Sequence, residues 1–429
     1  MRNFRIQVVF LTLFAVSAVL AGCLSRGTGN TLRISSWGDT QENAILLDLM
    51  AEFQKTHPAL KVQLERIPFG EYSTKLLTEI AGGTAPDVIF VEVGNFVDFY
   101  LRGAFEPLNP FIQADKFDLT GYYPQVMDRF TVDSQVLVIP RDTAPIGVIY
   151  YNKSAFDESG VPYPSDDWDW NQFVEVAKKV TKRDASGQVV RWGFVDDNPN
   201  WDAWVYDAGG SAVDDVKHPT KWTYAEDPKT LQGLQFRADL IYKHKVLIPP
   251  ASITAMGGTG TSDLFATGRA AMFLSGIWKT PMFREIKNFK WDVALFPKNP
   301  DGTRTLTTGG SGYGVLKTSK HKQEAWELVK FLSGEEGAKR LAATGLTQPA
   351  LMNIANSPAF LDGKDPLNKK FLLEAVKYVK YGPMCRNWGE VSAGLITPEL
   401  DKVGNGTETA EEALKKLKPL LEKNPPQLR

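Results

Sequence analysis

Between residues 31 and 103 the chain alternates short apolar runs of strand length with stretches of helical periodicity. No other feature constrains the fold as much. Leu32 to Ser36 reads as a strand ending in Ser36-Trp37-Gly38-Asp39, and the next segment carries Ile45, Leu46, Leu49, Met50 and Phe53 on one helical stripe. Leu60, Val62 and Leu64 alternate as a second strand, and a helix through Lys75 to Ile80 stops at Gly82-Gly83. Asp87 to Val91 (DVIFV) is a third, apolar strand, followed by a helix from Phe96 to Leu101 that stops at Gly103. This order predicts an α/β fold with a parallel sheet and helices on both of its faces. In such a sheet ligands sit at the carboxyl ends of the strands. Trp37 and Asp39 hold that place after the first strand, and Glu92 and Asn95 after the third. Each also has a plain structural reading. Trp37 can be a packed ring, Asp39 has capping-box spacing to Glu42, and Glu92 and Asn95 can be solvated surface.

The N-terminus carries an address. Arg2 and Arg5 precede an apolar run from Val8 to Leu20, too short for a comfortable membrane span. The run ends in Leu20-Ala21-Gly22-Cys23, which resembles the bacterial lipobox. That resemblance implies acylation of Cys23 and cleavage before it, with 1–22 as signal peptide and 23–30, polar and Gly-rich, as a tether. Without the leader the chain keeps 47 basic and 50 acidic residues. This mild negative balance argues against a nucleic-acid partner, which needs a basic footprint. Cys385 is the other cysteine. With Cys23 lipidated no intramolecular disulfide can form, so the core alone must hold the fold, and Cys385 reads as a buried inert thiol. The four histidines (57, 218, 244 and 321) and two cysteines show no metal-ligand spacing, so neither metal nor cofactor is expected.

Further along, Val136–Pro140 and Ile146–Tyr151 are strand-like and flank Arg141-Asp142-Thr143-Ala144-Pro145. Arg191–Val195 reads as a strand. Asp197, Asn198 and Asn200 follow it, then Trp201 and Trp204 at helical spacing. Ala251–Thr261 is small and polar and reads as a mobile loop. The stretch from Leu264 to Trp278 reads as a helix end, Gly268 as its C′ residue, a strand over Ala271–Leu274, a Ser275-Gly276 turn and then Trp278. Thr307–Val315 (TTGGSGYGV) matches neither the P-loop nor the dinucleotide fingerprint, yet Gly309 and Gly310 leave backbone N–H groups open to ligand oxygens. Helices are expected near 324–332, 338–342, 371–379, 391–400 and 410–421, with Arg386-Asn387-Trp388-Gly389 closing a loop.

Seven of these features occur together and in order: the lipobox, SWGD, APDVIF, YYNK, FATGRAAMFLSGIW, GGSGYGV and the EAWELVKFLSGEEGAK helix. In this combination the chain resembles the extracellular solute-binding lipoproteins of carbohydrate-importing ABC transporters, similar to the maltose-binding type. The resemblance covers essentially the whole chain after the leader. It implies a two-lobed periplasmic-binding-protein fold of type II, each lobe a sheet flanked by helices, with the ligand in the cleft between. It places one lobe at 31–143 plus 297–345 and the other at 146–294 plus 349–429. Hinge crossings then fall near 143–146, 294–297 and 344–350. By position it implies ligand contacts from Trp37, Asp39, Glu92, Asn95, Asp142, Asn200, Trp201, Trp278, Gly309, Gly310 and Trp388. It further implies a sugar ligand, permease subunits as partners, a monomer lipid-anchored through Cys23 outside the cytoplasmic membrane, and no catalysis. Where the maltose type has an Asp-Arg pair this chain has Gly94-Asn95, so the resemblance leaves the identity of the sugar open.

Sugar chemistry suits these residue types. A pyranose has an apolar C–H face that an indole covers, and a fringe of hydroxyls that Asp, Glu, Asn and backbone groups satisfy. Each buried polar group left unpaired costs ~1–3 kcal/mol, so the polar set carries specificity. Two rival readings remain at this level. One is the same fold with a polyamine or glycerol phosphate, the latter using Arg141 and the glycine turn. The other is a secreted glycoside hydrolase drawing two carboxylates from Asp39, Glu92, Asp142 and Asp197.

Overall fold

The computed structural model describes residues 31–428 apart from 144, 146, 198, 257–259 and 308–309. The expected signal peptide, tether and Cys23 lie outside the described residues, as does Gly309.

Two sheets organise the chain. The strands are β1 (Thr31–Ser36), β2 (Lys61–Arg66), β3 (Val88–Glu92), β4 (Ile139–Asp142), β5 (Val148–Asn152), β6 (Val195–Asp196), β7 (Met272–Ser275), β8 (Trp291–Leu295) and β9 (Ser311–Val315). The first sheet has the order β2-β1-β3-β9-β4 and the second β6-β7-β5-β8. β1 pairs in parallel with β2 and β3, as the alternation predicts, while β9 runs antiparallel between β3 and β4. A purely parallel sheet was expected, and β9 is the departure. It returns to the first sheet only after the chain has built the second, so nothing in the first hundred residues announces it.

Apolar β3 is buried on both faces because its side chains alternate. Val88 and Phe90 join one cluster with Leu46, Phe53 and Val329, while Ile89 and Val91 join another with Tyr72, Leu76 and Phe96. The second sheet buries Tyr150, Phe273 and Val293 against Phe265 and Phe283. A further cluster unites Trp201, Leu234, Cys385, Leu400, Leu414 and Leu417 under the C-terminal helices. Cys385 is buried there, and burial pushes its thiol up to about 11, well into the inert range.

The chain passes from the first sheet to the second between β4 and β5, and back between β8 and β9. Leu346, Ala350, Leu351 and Ile354 still pack in the first sheet's core, whereas Phe360 and Phe371 pack in the second's. Residues 348–350 lie beside the first passage. Thr143 N–H donates to Gln348 O (3.1 Å) and Ala350 N–H to Arg141 O (3.2 Å). The stretch expected as a mobile loop contains a helix, Pro250–Ala255, whose first position is a proline that fits the missing N–H there.

Candidate ligand-binding cleft

At the carboxyl edge of the first sheet, Trp37 is half-buried among the rings of Phe69, Tyr72 and Phe90. Gly38 follows at φ +130°, and a Cβ there would stand 2.6 Å from Glu42 Oε2, so the turn requires glycine. Asp39 is exposed, and its Oδ1 accepts from the N–H groups of Gln41 and Glu42 at 2.9 Å. Its structural role is therefore the N-cap of helix Thr40–Thr56.

Glu92 ends β3 with a half-buried carboxyl. Burial, aided by the charge of Asp142, pushes its pKa up to about 7. Asn95 closes the following turn by accepting from Glu92 N–H (3.0 Å). Ser311 lies in register with both Glu92 and Asp142, which brings three strand ends together. Asp142 is only 1% exposed. Its oxygens accept from Arg141 Nε (2.7 Å), Ser311 N–H (3.0 Å) and Ser311 Oγ (2.7 Å). Arg141 also reaches Glu42 (3.3 Å) and stacks 4.1 Å over Phe90. Asp142 thus belongs to a buried ion network under the rim. Gly310 sits at φ +110°, Val126 Cγ1 lies 3.0 Å from where its Cβ would be, and its carbonyl accepts from Val93 N–H (3.1 Å).

The second sheet has its own carboxyl edge. Asp197 follows β6 and accepts from Ser275 Oγ at 2.9 Å. Trp278 Nε1 and Lys279 Nζ each lie 3.5 Å from the same carboxylate. Trp278 folds its ring back over Gly276 and, half-buried, packs against the core of the first sheet. Asn200 caps helix Trp201–Asp207 by accepting from Ala203 N–H (3.2 Å), and its own N–H donates to Asp196 (3.0 Å). Trp201 is 5% exposed, with the Arg237 guanidinium 4.2 Å from its ring. Its Nε1 has no hydrogen-bond partner among the described residues. Trp388 opens helix Trp388–Val391, half-buried, with Trp222 5.8 Å away.

The two halves meet. Arg129, on helix Pro124–Phe130, is 4% exposed and donates from an Nη to Gly382 O at 2.8 Å. Burial pushes its pKa down to about 10, and its guanidinium lies 5.4 Å from the Tyr381 ring. Tyr381 and Met384 pack on the first sheet's core, while Met384 N–H donates to Val216 O (2.7 Å) in the second half. Lys217 pairs with Asp128 at 2.7 Å. Asp202 adds a half-buried carboxyl, pushed up to about 6 by burial and bonded by Tyr224 Oη at 3.2 Å.

The sequence model of the family described as bacterial extracellular solute-binding protein matches residues 37–339. The chain belongs to this family. An ABC substrate-binding protein of Listeria monocytogenes, solved in complex with cycloalternan, is 30% identical with a TM-score of 0.82, over 92% of this chain and 98% of that one. The maltose-bound MalE3 of T. maritima is 25% identical with a TM-score of 0.80, over 92% and 99%. An arabinooligosaccharide-binding protein of Halalkalibacterium halodurans is 26% identical over 390 residues, 85% of this chain and 82% of its own. The fold is accordingly the two-lobed one of these binding proteins.

In this solute-binding protein the structure sorts the expected residues. Trp37, Glu92, Gly310 and Ser311 share one sheet edge, and Asp197, Trp278 and Lys279 the other. Asp39 and Asn200 are engaged as helix caps, Asn95 in a turn, and Asp142 in the buried network. Trp201 and Trp388 lie in the C-terminal cluster. The reading from sequence singled out none of Arg129, Asp202, Lys279 and Phe69, which lie near these edges or between the halves in the structure. Asp197 was legible as a carboxylate just past a strand. Arg129 gave no signal, because one arginine on a short helix looks like surface until the other lobe is placed over it.

Proposed function

We propose that this protein captures an oligosaccharide between its two sheet edges and delivers it to the permease of an ABC transporter. One observation carries the reading: the two carboxyl edges each hold an indole and a carboxylate, Trp37 and Glu92 at the ends of neighbouring strands on one, and Trp278 with Asp197 3.5 Å from its Nε1 on the other. Such pairs match a sugar's apolar face and hydroxyl fringe. The relatives that bind cycloalternan, maltose and arabino-oligosaccharides support the ligand class. Trp37, Glu92, Asp197, Trp278, Trp201, Trp388 and Gly310 form the proposed site. Asp39, Asn95, Asn200 and Asp142 position that site rather than touch the ligand.

The proposed lobes are 31–143 with 297–355, and 147–295 with 360–428, joined near 143–147, 295–297 and 355–360. Closure about this hinge traps the ligand. Cys23 carries the lipid that holds the monomer at the outer face of the membrane, and the protein performs no chemistry on its ligand. Calorimetric titration with mono- and oligosaccharides tests this directly. At least one oligosaccharide should bind and be recovered intact after long incubation. Release of new reducing ends would overturn the reading in favour of a hydrolase, and the absence of any sugar binding would remove it.

A further inference from the structure

Phe69 stands out among the apolar side chains. It is 59% exposed, flanked by exposed Pro68 and Gly70, and placed at the first turn of helix Phe69–Ala81, just after β2. The neighbouring Ile67 is fully buried and its N–H donates to Ser36 O (2.9 Å), so the tip is anchored. The ring Phe69 meets is Trp37, edge to face at 5.5 Å. It also lies on the site's edge of the sheet, since Arg66 Nε at the end of β2 donates to Gly38 O (2.7 Å).

Sheet order gives this position its meaning. β4, where the chain leaves for the other lobe, is one edge strand, and β2 is the opposite one. The mouth of the cleft is therefore at β2. From β3, which ends in Glu92, to β2 the edge runs across two strand spacings, about 10 Å. That exceeds the width of one sugar ring. Trp37 lies between, just after β1.

We propose that Phe69 is the outer stacking platform of the cleft, taking the sugar unit farthest from the hinge, so that the natural ligand is an oligosaccharide long enough to run from Glu92 past Trp37 to Phe69. This rests on the sugar reading above. It explains why a large apolar side chain stands in solvent at the mouth of a site whose next residue inward is a tryptophan. A contact with the permease, or with a second copy of the chain, is the competing use of the same ring.

The test titrates wild type and Phe69→Ala with linear gluco- and arabino-oligosaccharides of two to six units. Wild-type affinity should rise with length, and Phe69→Ala should lose about tenfold for the longer members while leaving the disaccharide unchanged. Phe69→Tyr should restore the gain. Equal loss at every length, or none, overturns the proposal while leaving the sugar reading intact. Unchanged affinities with lowered transporter ATPase stimulation overturn it in favour of a permease contact. If wild type binds no member of these series, nor of manno- and galacto-oligosaccharide series run in the same way, the sugar reading falls and this proposal with it. Exposure of Phe69 means the variant should melt with the wild type, which is checked first.

Discussion

Trp204 and Trp278 show how differently one residue type can be employed. Trp204 is fully buried among Trp170, Phe173, Phe194, Phe236 and Phe296. Trp278 is half-buried at the junction of the two lobes, with its Nε1 toward Asp197. Trp204→Ala should cost about 3–5 kcal/mol of stability. Trp278→Ala should leave most of the stability but weaken ligand affinity about tenfold or more. Urea unfolding and titration calorimetry on the same two variants separate these outcomes. Equal destabilisation without an affinity change would make Trp278 a core residue. Sequence could place both indoles near turns and helices, but it could not say which ring the second lobe would meet. Glu92 makes a pH prediction. An ordinary glutamate titrates near 4.5, and this one near 7. Between those values the folded protein holds a proton that the unfolded chain has released. Stability should therefore fall as pH rises from about 4.5 to 7. Glu92→Gln should flatten part of that decline, seen as converging urea midpoints at pH 5 and pH 8. An unchanged slope would mean that the carboxyl is already solvated.

At the scale of elements, the C-terminal segment braces the loop that carries Trp388. Asn387 Nδ2 donates to Pro425 O (3.0 Å) and its Oδ1 accepts from Gln427 N–H (3.0 Å), while Arg386 N–H donates to Gln427 O (2.7 Å). Trp222 Nε1 holds the same segment through Asn424 O (2.6 Å). Asn387→Ala removes two bonds from a buried position, at a cost of about 1–3 kcal/mol. It should also loosen Trp388, lowering affinity several-fold and raising amide exchange over 384–390. Unchanged exchange there would show that the indole is held by its apolar contacts alone. Periodicity made the first three strands, the first helices and the 264–278 unit legible, because each is set by residues adjacent in sequence. β9 was not, since pairing partners far along the chain decide its place. The bracing of residues 386–387 by 424–427 escaped notice for the same reason.

For the whole molecule, the decisive balance is between open and closed arrangements of the lobes. The ligand shifts that balance only through its preference for the closed form. Contacts made solely on closure therefore enter the apparent affinity in full. Arg129 with Gly382 O joins the two halves in this structure, and it lies deep, where a charge-assisted bond is worth more than at the surface, so it is predicted to be lost on opening. Asp128 with Lys217 also joins them, but both side chains are more than half exposed, so salt should screen it. Arg129→Ala should enlarge the difference in radius of gyration between free and ligand-saturated protein, because the free form opens further and the bound form does not. Affinity should fall about tenfold, as expected when the competent population drops by that factor. Lys217→Ala should change affinity by less than about fivefold, and only at low salt. These two responses separate closure from direct ligand contact. An arginine that acts by touching the sugar would weaken binding while leaving the free-state scattering where it was. One that acts by holding the lobes together must alter the free state before any ligand is added. Small-angle scattering of the ligand-free variant decides between them, and an unchanged free-state radius would remove Arg129 from the closure mechanism.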